Sequence, residues 1–184
     1  MSEENTPSRI ILIIIAAIII PVVVVGAYVW FNRAPTPYSG QVLSVNVYPI
    51  HRDLSQPTTT EGVGGQNDVY DEMLIFADVR IQNLAKIPLF VHDMWSTVNL
   101  PNESDRSTAA SGSDFDKVFI AYPDTKQYQK PILPRDFTIP PGQSVEGMMI
   151  FNYQMSQAQW DTRSGMDLSI SFLHQYPLVM HVPK

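Results

Sequence analysis

The chain has 184 residues, a net charge of −6, 16% charged and 45% apolar residues, 15 Pro and no Cys. That length allows one ordinary domain plus a short appendage, and the twelve Lys and Arg scattered along an acidic chain provide no concentrated positive surface for nucleic acid. The lack of Cys excludes disulfides, cysteine nucleophiles, thiolate zinc sites, iron–sulfur clusters and blue copper.

Residues 1–9 form a polar leader in which Glu3 and Glu4 stand against Arg9. Residues 10–31 then run for 22 positions without a charge, among them eight Ile and five Val. At about 1.5 Å per helical residue such a run spans roughly 33 Å, the thickness of a hydrocarbon core of about 30 Å. Helix is the only single-span solution in lipid, because every backbone group must bond internally. A transmembrane helix is therefore predicted over 10–31. Tyr28, Trp30 and Phe31 at its end suit the headgroup level, and Arg33 follows as a snorkelling anchor. A cleaved signal peptide would have a shorter apolar region led by positive charge. The basic residues favour an amino terminus inside and a carboxy-terminal domain outside, which places the chain in the inner (plasma) membrane with its domain in the periplasm or exterior.

Residues 32–40 hold two prolines and a glycine without apolar periodicity, the pattern of a stiff stalk. Period-two alternation dominates residues 41–184, so this domain reads as all-β. Strands are predicted at 42–49, along the stretch containing Met73, Ile75, Ala77, Val79 and Ile81, at 87–91, 95–100, 118–122, 145–152, 167–174 and 178–182. Asp78, Arg80 and Gln82 face away from the apolar side of the second strand, and Asn83-Leu84 reads as a hairpin return into the third. No convincing amphipathic helix is read, only one helical turn at 156–161 capped by Ser156. Eight short antiparallel strands fit two sheets packed face to face. Residues 51–71 and 101–116 read as long polar loops, each a candidate contact surface.

Pro140-Pro141-Gly142 followed by a strand with Gly147 and Phe151, the pair Asn83 and Pro88, and the closing Leu168-Ser169-Ile170-Ser171-Phe172 make a familiar pattern. Together they resemble the bacterial telokin-like, immunoglobulin-type domains found behind a signal or anchor in cell-envelope proteins. The resemblance implies an immunoglobulin-like β-sandwich over most of the chain after the stalk, and no catalytic residues. The lipid-anchored members carry a Cys that this chain lacks, and the transmembrane helix would replace it.

No catalytic constellation is read, and no cofactor is expected. The Gly-x-Ser-x-Gly elbow, a His-Glu-x-x-His motif and a phosphate loop are all absent, since the glycines at 62, 64 and 65 are not followed by Lys and Ser or Thr. His92 and Met94 share a face of a regular strand and are the candidate for a soft copper site. Asp114 and Asp116, and likewise Asp68, Asp71 and Glu72, sit at loop exits as candidates for calcium, although the 12-residue calcium-loop pattern is missing. An envelope enzyme would draw on His51, Asp68, Asp71, Asp114 and Asp116 from the two loops. The Pro-rich region 122–141 reads as extended: it packs across a sheet edge or presents Tyr122, Tyr128, Pro131, Pro134 and Phe137 to a partner. The expected function is that of a membrane-anchored binding module, an accessory or assembly subunit of a membrane or envelope protein complex, with no small-molecule substrate indicated.

Overall fold

The uncharged run folds as one helix, α1, Thr6–Phe31, which starts four residues before the predicted span and carries Pro21 without ending. The computed structural model describes residues 6–31, 37–53 and 69–184, which divide into two units, Met1–Thr36 and Pro37–Lys184. Within α1, Ile13–Trp30 has mean hydropathy 2.7 and no buried part, so the helix is long and apolar enough to cross a membrane. Residues 32–36, including Arg33 and most of the predicted stalk, lie outside the described residues.

The second unit is built mainly of antiparallel sheet. Its elements are β1 (Tyr38–Asp53), β2 (Val69–Asn83), β3 (Leu89–Asn99), β4 (Ser104–Thr108), α2 (Gly112–Ala121), a 3-10 helix (Pro123–Tyr128), β5 (Phe137–Ile139), β6 (Ser144–Tyr153), α3 (Gln157–Asp161), β7 (Gly165–Phe172) and β8 (Leu178–Pro183). One sheet has the order β1-β2-β6 and the other β4-β3-β7-β8, with β5 also paired to β3. The first strand begins at Tyr38, so residues 38–40 belong to the sheet and not to the stalk.

The core lies between the two sheets. Met73, Ile75, Ala77, Val79 and Ile81, the apolar face read from the alternation of β2, are all fully buried there. They pack with Val91, Met94 and Val98 of β3 and Leu168 and Ile170 of β7 in one cluster. Tyr153 crosses from β6 to β3, where its hydroxyl hydrogen-bonds Ser96 inside the core, and burial pushes its phenol up to about 12.

A second apolar cluster covers the other face of the β1-β2-β6 sheet. Leu74, Phe76, Met148 and Ile150 meet Phe115 and Phe119 of α2 there. The ring centroids of Phe76 and Phe119 lie 5.9 Å apart, and those of Phe115 and Phe119 5.3 Å apart. This corrects two expectations: residues 118–121 are helix rather than strand, with Tyr122 as the C-cap, and 101–116 hold β4 and the start of α2 rather than one long loop. Phe115, Val118, Phe119 and Tyr122 stand at i, i+3, i+4 and i+7, the spacing of one helix face. Ser111 caps the helix by accepting the Asp114 N–H.

The connection at Asn83 is a third correction. β2 and β3 lie in different sheets, so this corner is a crossing and not a hairpin. Asn83 is fully buried, and its amide donates to the carbonyls of Ile87 and Ile139 at 2.9 Å each while its Oδ1 accepts the Ala85 N–H at 2.8 Å. The Ile139 bond, together with the backbone bonds from Asn83 N–H to Gln143 and from Gly142 N–H to Asn83, holds the crossing chain against the turn at 140–143, where Gly142 adopts φ 73°. The predicted strands 87–91 and 95–100 are one strand, β3, interrupted by an irregularity in register between Val91 and Asp93. The turn at 156–161 is a short helix whose Ser156 and Gln159 form a capping box.

Candidate functional site

The lower part of the β1-β2-β6 sheet, toward Arg52 and Tyr70, extends past the cover supplied by α2, and a cleft of about 480 Å³ opens between them. Leu74, Ile150, Ala110 and Val118 supply apolar lining, while Arg52, Tyr70, Glu72, Asn152, Tyr122 and Asp114 supply polar lining. Strand alternation explains the composition. Ile50 and Arg52 of β1, and Tyr70, Glu72 and Leu74 of β2, occupy even positions on the face away from the main core. This cleft lies at the opposite end of β1 from Tyr38, fourteen residues or about 45 Å along the strand.

The polar groups are held in place by one another. Glu72 Oε1 accepts from the Tyr70 hydroxyl at 2.7 Å and from the Asn152 amide at 3.1 Å. The Gln154 amide donates to the Tyr70 oxygen at 3.2 Å, and the Glu72 bond holds the Tyr70 phenol above its ordinary range. Arg52 donates to the Tyr122 hydroxyl, and its guanidinium lies 5.6 Å from the ring centroid. Asp114 accepts from Ser111 at 2.6 Å and pairs with Lys117 at 2.9 Å, which together keep its carboxyl below the ordinary carboxylate range. The result is an apolar trough with one guanidinium and two carboxylates at its margin, an arrangement suited to holding a chain with both apolar and charged groups.

The residues singled out in the sequence are dispersed. His51 Nδ1 lies 2.6 Å from Asp71 on the neighbouring strand, and these odd-numbered positions face away from the cleft. Of the five loop residues proposed for an enzyme, Asp114 alone lines the cleft, and Asp68 lies outside the described residues. Asp114 and Asp116 sit on the first turns of α2, where residues two apart point in different directions, so the loop pairing expected for calcium is corrected. The irregularity in β3 likewise separates the proposed copper pair: His92 is exposed, whereas Met94 is 1% exposed within the core. Among the described residues, no group of three or more His, Asp or Glu is placed to hold a metal ion. Tyr28 and Trp30 are exposed on α1, while the side chain of Phe31 and all of Arg33 lie outside what is described.

Region 122–141 divides into three parts rather than one extended ridge. Tyr122 and Tyr128 turn toward the second cluster, with the Tyr128 ring 5.6 Å from Phe76. Pro131 accepts the Met148 N–H at 2.8 Å, Leu133 donates to the Met148 carbonyl at 3.0 Å, and a parallel bridge forms along the edge of β6. Gly147 permits this approach, since a Cβ there would stand 2.7 Å from the Leu133 backbone. Pro134 is exposed just beyond the bridge, and Phe137 opens β5 against Val91. Further along β6, Ile150 accepts the Ala110 N–H at 2.8 Å, so two segments cover an edge that would otherwise pair with another chain.

No protein-family profile and no curated protein sequence matches the chain. Among solved structures, the ycdA protein of Bacillus subtilis is 13% identical at a TM-score of 0.44, with 82% of this chain and 38% of that one covered. A functionally unknown protein from Listeria monocytogenes is 10% identical at a TM-score of 0.44, with 80% and 77% covered. The chain thus spans well under half the length of the Bacillus protein. Likenesses at this level assign no function.

Proposed function

We propose that the chain is a membrane-anchored, extracytoplasmic binding module that serves as an accessory or assembly subunit of a membrane or envelope protein complex. Its anchor is α1, with the amino terminus inside, and Arg33 and the aromatic residues at the helix end mark the interface. The domain is of the immunoglobulin type, as the telokin-like resemblance implies. Its strand order supports this reading. Labelling β1, β2 and β6 as A, B and E, and β4, β3, β7 and β8 as C′, C, F and G, matches the strand order of that topology, with no counterpart of strand D among the described residues and β5 as an additional short strand.

The observation that carries the proposal is the cleft under α2. Its lining comes from five separate elements, its charged margin is pre-set by hydrogen bonds, and it opens at the end of the sheet remote from Pro37. A polypeptide segment of a partner, with an apolar side chain for the trough and a basic group for Glu72 or Asp114, fits that chemistry.

The test fills the cleft. Full-length protein is purified in mild detergent from native membranes as wild type, as Thr108→Trp, and as Gln82→Trp on the far end of β2. Thr108 and Gln82 are both exposed, and Thr108 alone lines the cleft. A partner that accompanies wild type and Gln82→Trp but is lost from Thr108→Trp is the expected result. Retention of the same partner by all three, or elution of every form alone, contradicts the reading.

A further inference from the structure

We infer that the end of the domain at which the chain enters, around Pro37, is a lipid-contact surface resting on the bilayer that α1 crosses; the inference rests on the anchor reading proposed above. Four of the seven large apolar side chains exposed in the second unit, among the described residues, belong to it: Leu84 (54% exposed), Ile87 (57%), Leu173 (50%) and Tyr176 (86%). They come from two loops, 84–88 and 173–177, that the fold brings to the start of β1. Leu84 N–H donates to the Pro37 carbonyl at 2.9 Å, and Leu173 N–H donates to Phe90 at 2.9 Å. Tyr38 joins the two sides, its ring 4.7 Å from that of Phe172 and its hydroxyl donating to the Tyr176 carbonyl at 2.6 Å. The exposed side chains therefore project from loops whose backbones are tied to the sheets.

Charge at this end departs from that of the whole chain. The protein carries 18 Asp and Glu for a net charge of −6, yet residues 84–88, 140–143 and 173–177 contain no acid. The 140–143 turn belongs to the same end, because Gly142 N–H donates to the Asn83 carbonyl at 3.0 Å. Lys86 and His174 are the side chains of these three loops that can carry a positive charge. Leucine, isoleucine, proline and tyrosine around a lysine match the headgroup layer, where tyrosine rings settle, lysine stems lie along apolar surface and anionic lipid attracts the ammonium.

Chain length selects lipid over another occupant. Pro37 follows Phe31, the last residue of α1, by six positions, a tether of at most about 20 Å. A surface on so short a tether meets lipid at an effective concentration that a diffusing protein partner does not reach, so a weak contact is populated without a further binding site.

The lack of Cys makes the test direct, because single substitutions accept one label each. Full-length Ile87→Cys, Tyr176→Cys and Ile120→Cys are labelled with an environment-sensitive fluorophore and reconstituted into vesicles of phosphatidylethanolamine and phosphatidylglycerol. Ile120, 76% exposed on α2, is the reference. In vesicles recovered by flotation, emission at 87 and 176 is expected to shift to the blue and to be quenched several-fold more than at 120 by headgroup-labelled nitroxide lipid. Equal quenching at all three positions overturns the contact while leaving the anchor intact. A blue shift at 87 and 176 without lipid quenching identifies a protein neighbour, such as a second copy, and also overturns it. Protein that does not float defeats the anchor reading itself, and the contact with it.

Discussion

The two faces of β2 carry the same strand through different surroundings. On the inner face, Met73, Ile75, Ala77, Val79 and Ile81 are all fully buried, sealed by the opposing sheet. On the outer face burial falls away at both ends, and Tyr70 and Glu72 are half-buried at the end that borders the cleft. Leu74 and Phe76 lie under α2, Asp78 is buried beside Lys130, and Arg80 and Gln82 are exposed, with Arg80 paired to Glu146. The inner face thus behaves as the structural core, whereas the outer face is a partial cover whose margin becomes the cleft. The cleft opens where a layer stops short.

Substitutions on the two faces sharpen this contrast. Ile75→Ala removes a fully buried side chain between the sheets and is expected to cost about 4 kcal/mol, shifting the whole unfolding transition in urea. Phe119→Ala is expected to cost about 3 kcal/mol, with a different signature: amide exchange in α2 accelerates while β2 stays protected. Uniform loss of protection in β2 and α2 would mean that the cover is part of the core.

The cap of α2 gives a smaller effect. Ser111→Ala is expected to cost about 1 kcal/mol by thermal melting. The same cap carries a pH dependence. The Asp114 carboxyl is lowered, first by Ser111 and then by Lys117, so its support is present above the ordinary carboxylate pKa of about 4 and is lost as pH falls through the lowered value. Acid titration followed by α2 exchange should therefore loosen the helix before the sheets. Arg80 and Glu146 form the smallest case: both side chains are about half exposed, and a double-mutant cycle is expected to give a coupling below about 0.5 kcal/mol.

The inner face was legible in the sequence because Ala77, Val79 and Ile81 alternate with Asp78, Arg80 and Gln82 over the last part of β2. The outer face was harder to read. Met73-Leu74-Ile75-Phe76-Ala77 and Met148-Met149-Ile150-Phe151 are continuous apolar runs, the mark of strands covered on both sides, and such runs demand a second layer. That layer was present as Phe115, Val118, Phe119 and Tyr122 at helical spacing. The five residues Val118-Phe119-Ile120-Ala121-Tyr122, however, also have the length and aromatic content of a strand. β4 was missed because Ser104–Thr108 has no apolar residue; Arg106 instead covers Trp95 of β3, 4.2 Å from its ring. Eight strands were expected and eight are described, but two expected strands merge in β3, one is helix, and β4 and β5 are additions. The cleft itself could not be read, since its residues come from β1, β2, β4, α2 and β6, and only the crossing at Asn83 and the placement of α2 bring them together.

We propose that the tethered domain binds its partner through the cleft at the edge of the α2 cover. A photo-reactive amino acid placed at Thr108 of the full chain, and in parallel at Gln82, tests it in native membranes. A discrete crosslinked product is expected from position 108 and none of that mass from position 82. The same product from both positions, or none from 108 while the protein remains folded and membrane-bound, would contradict it.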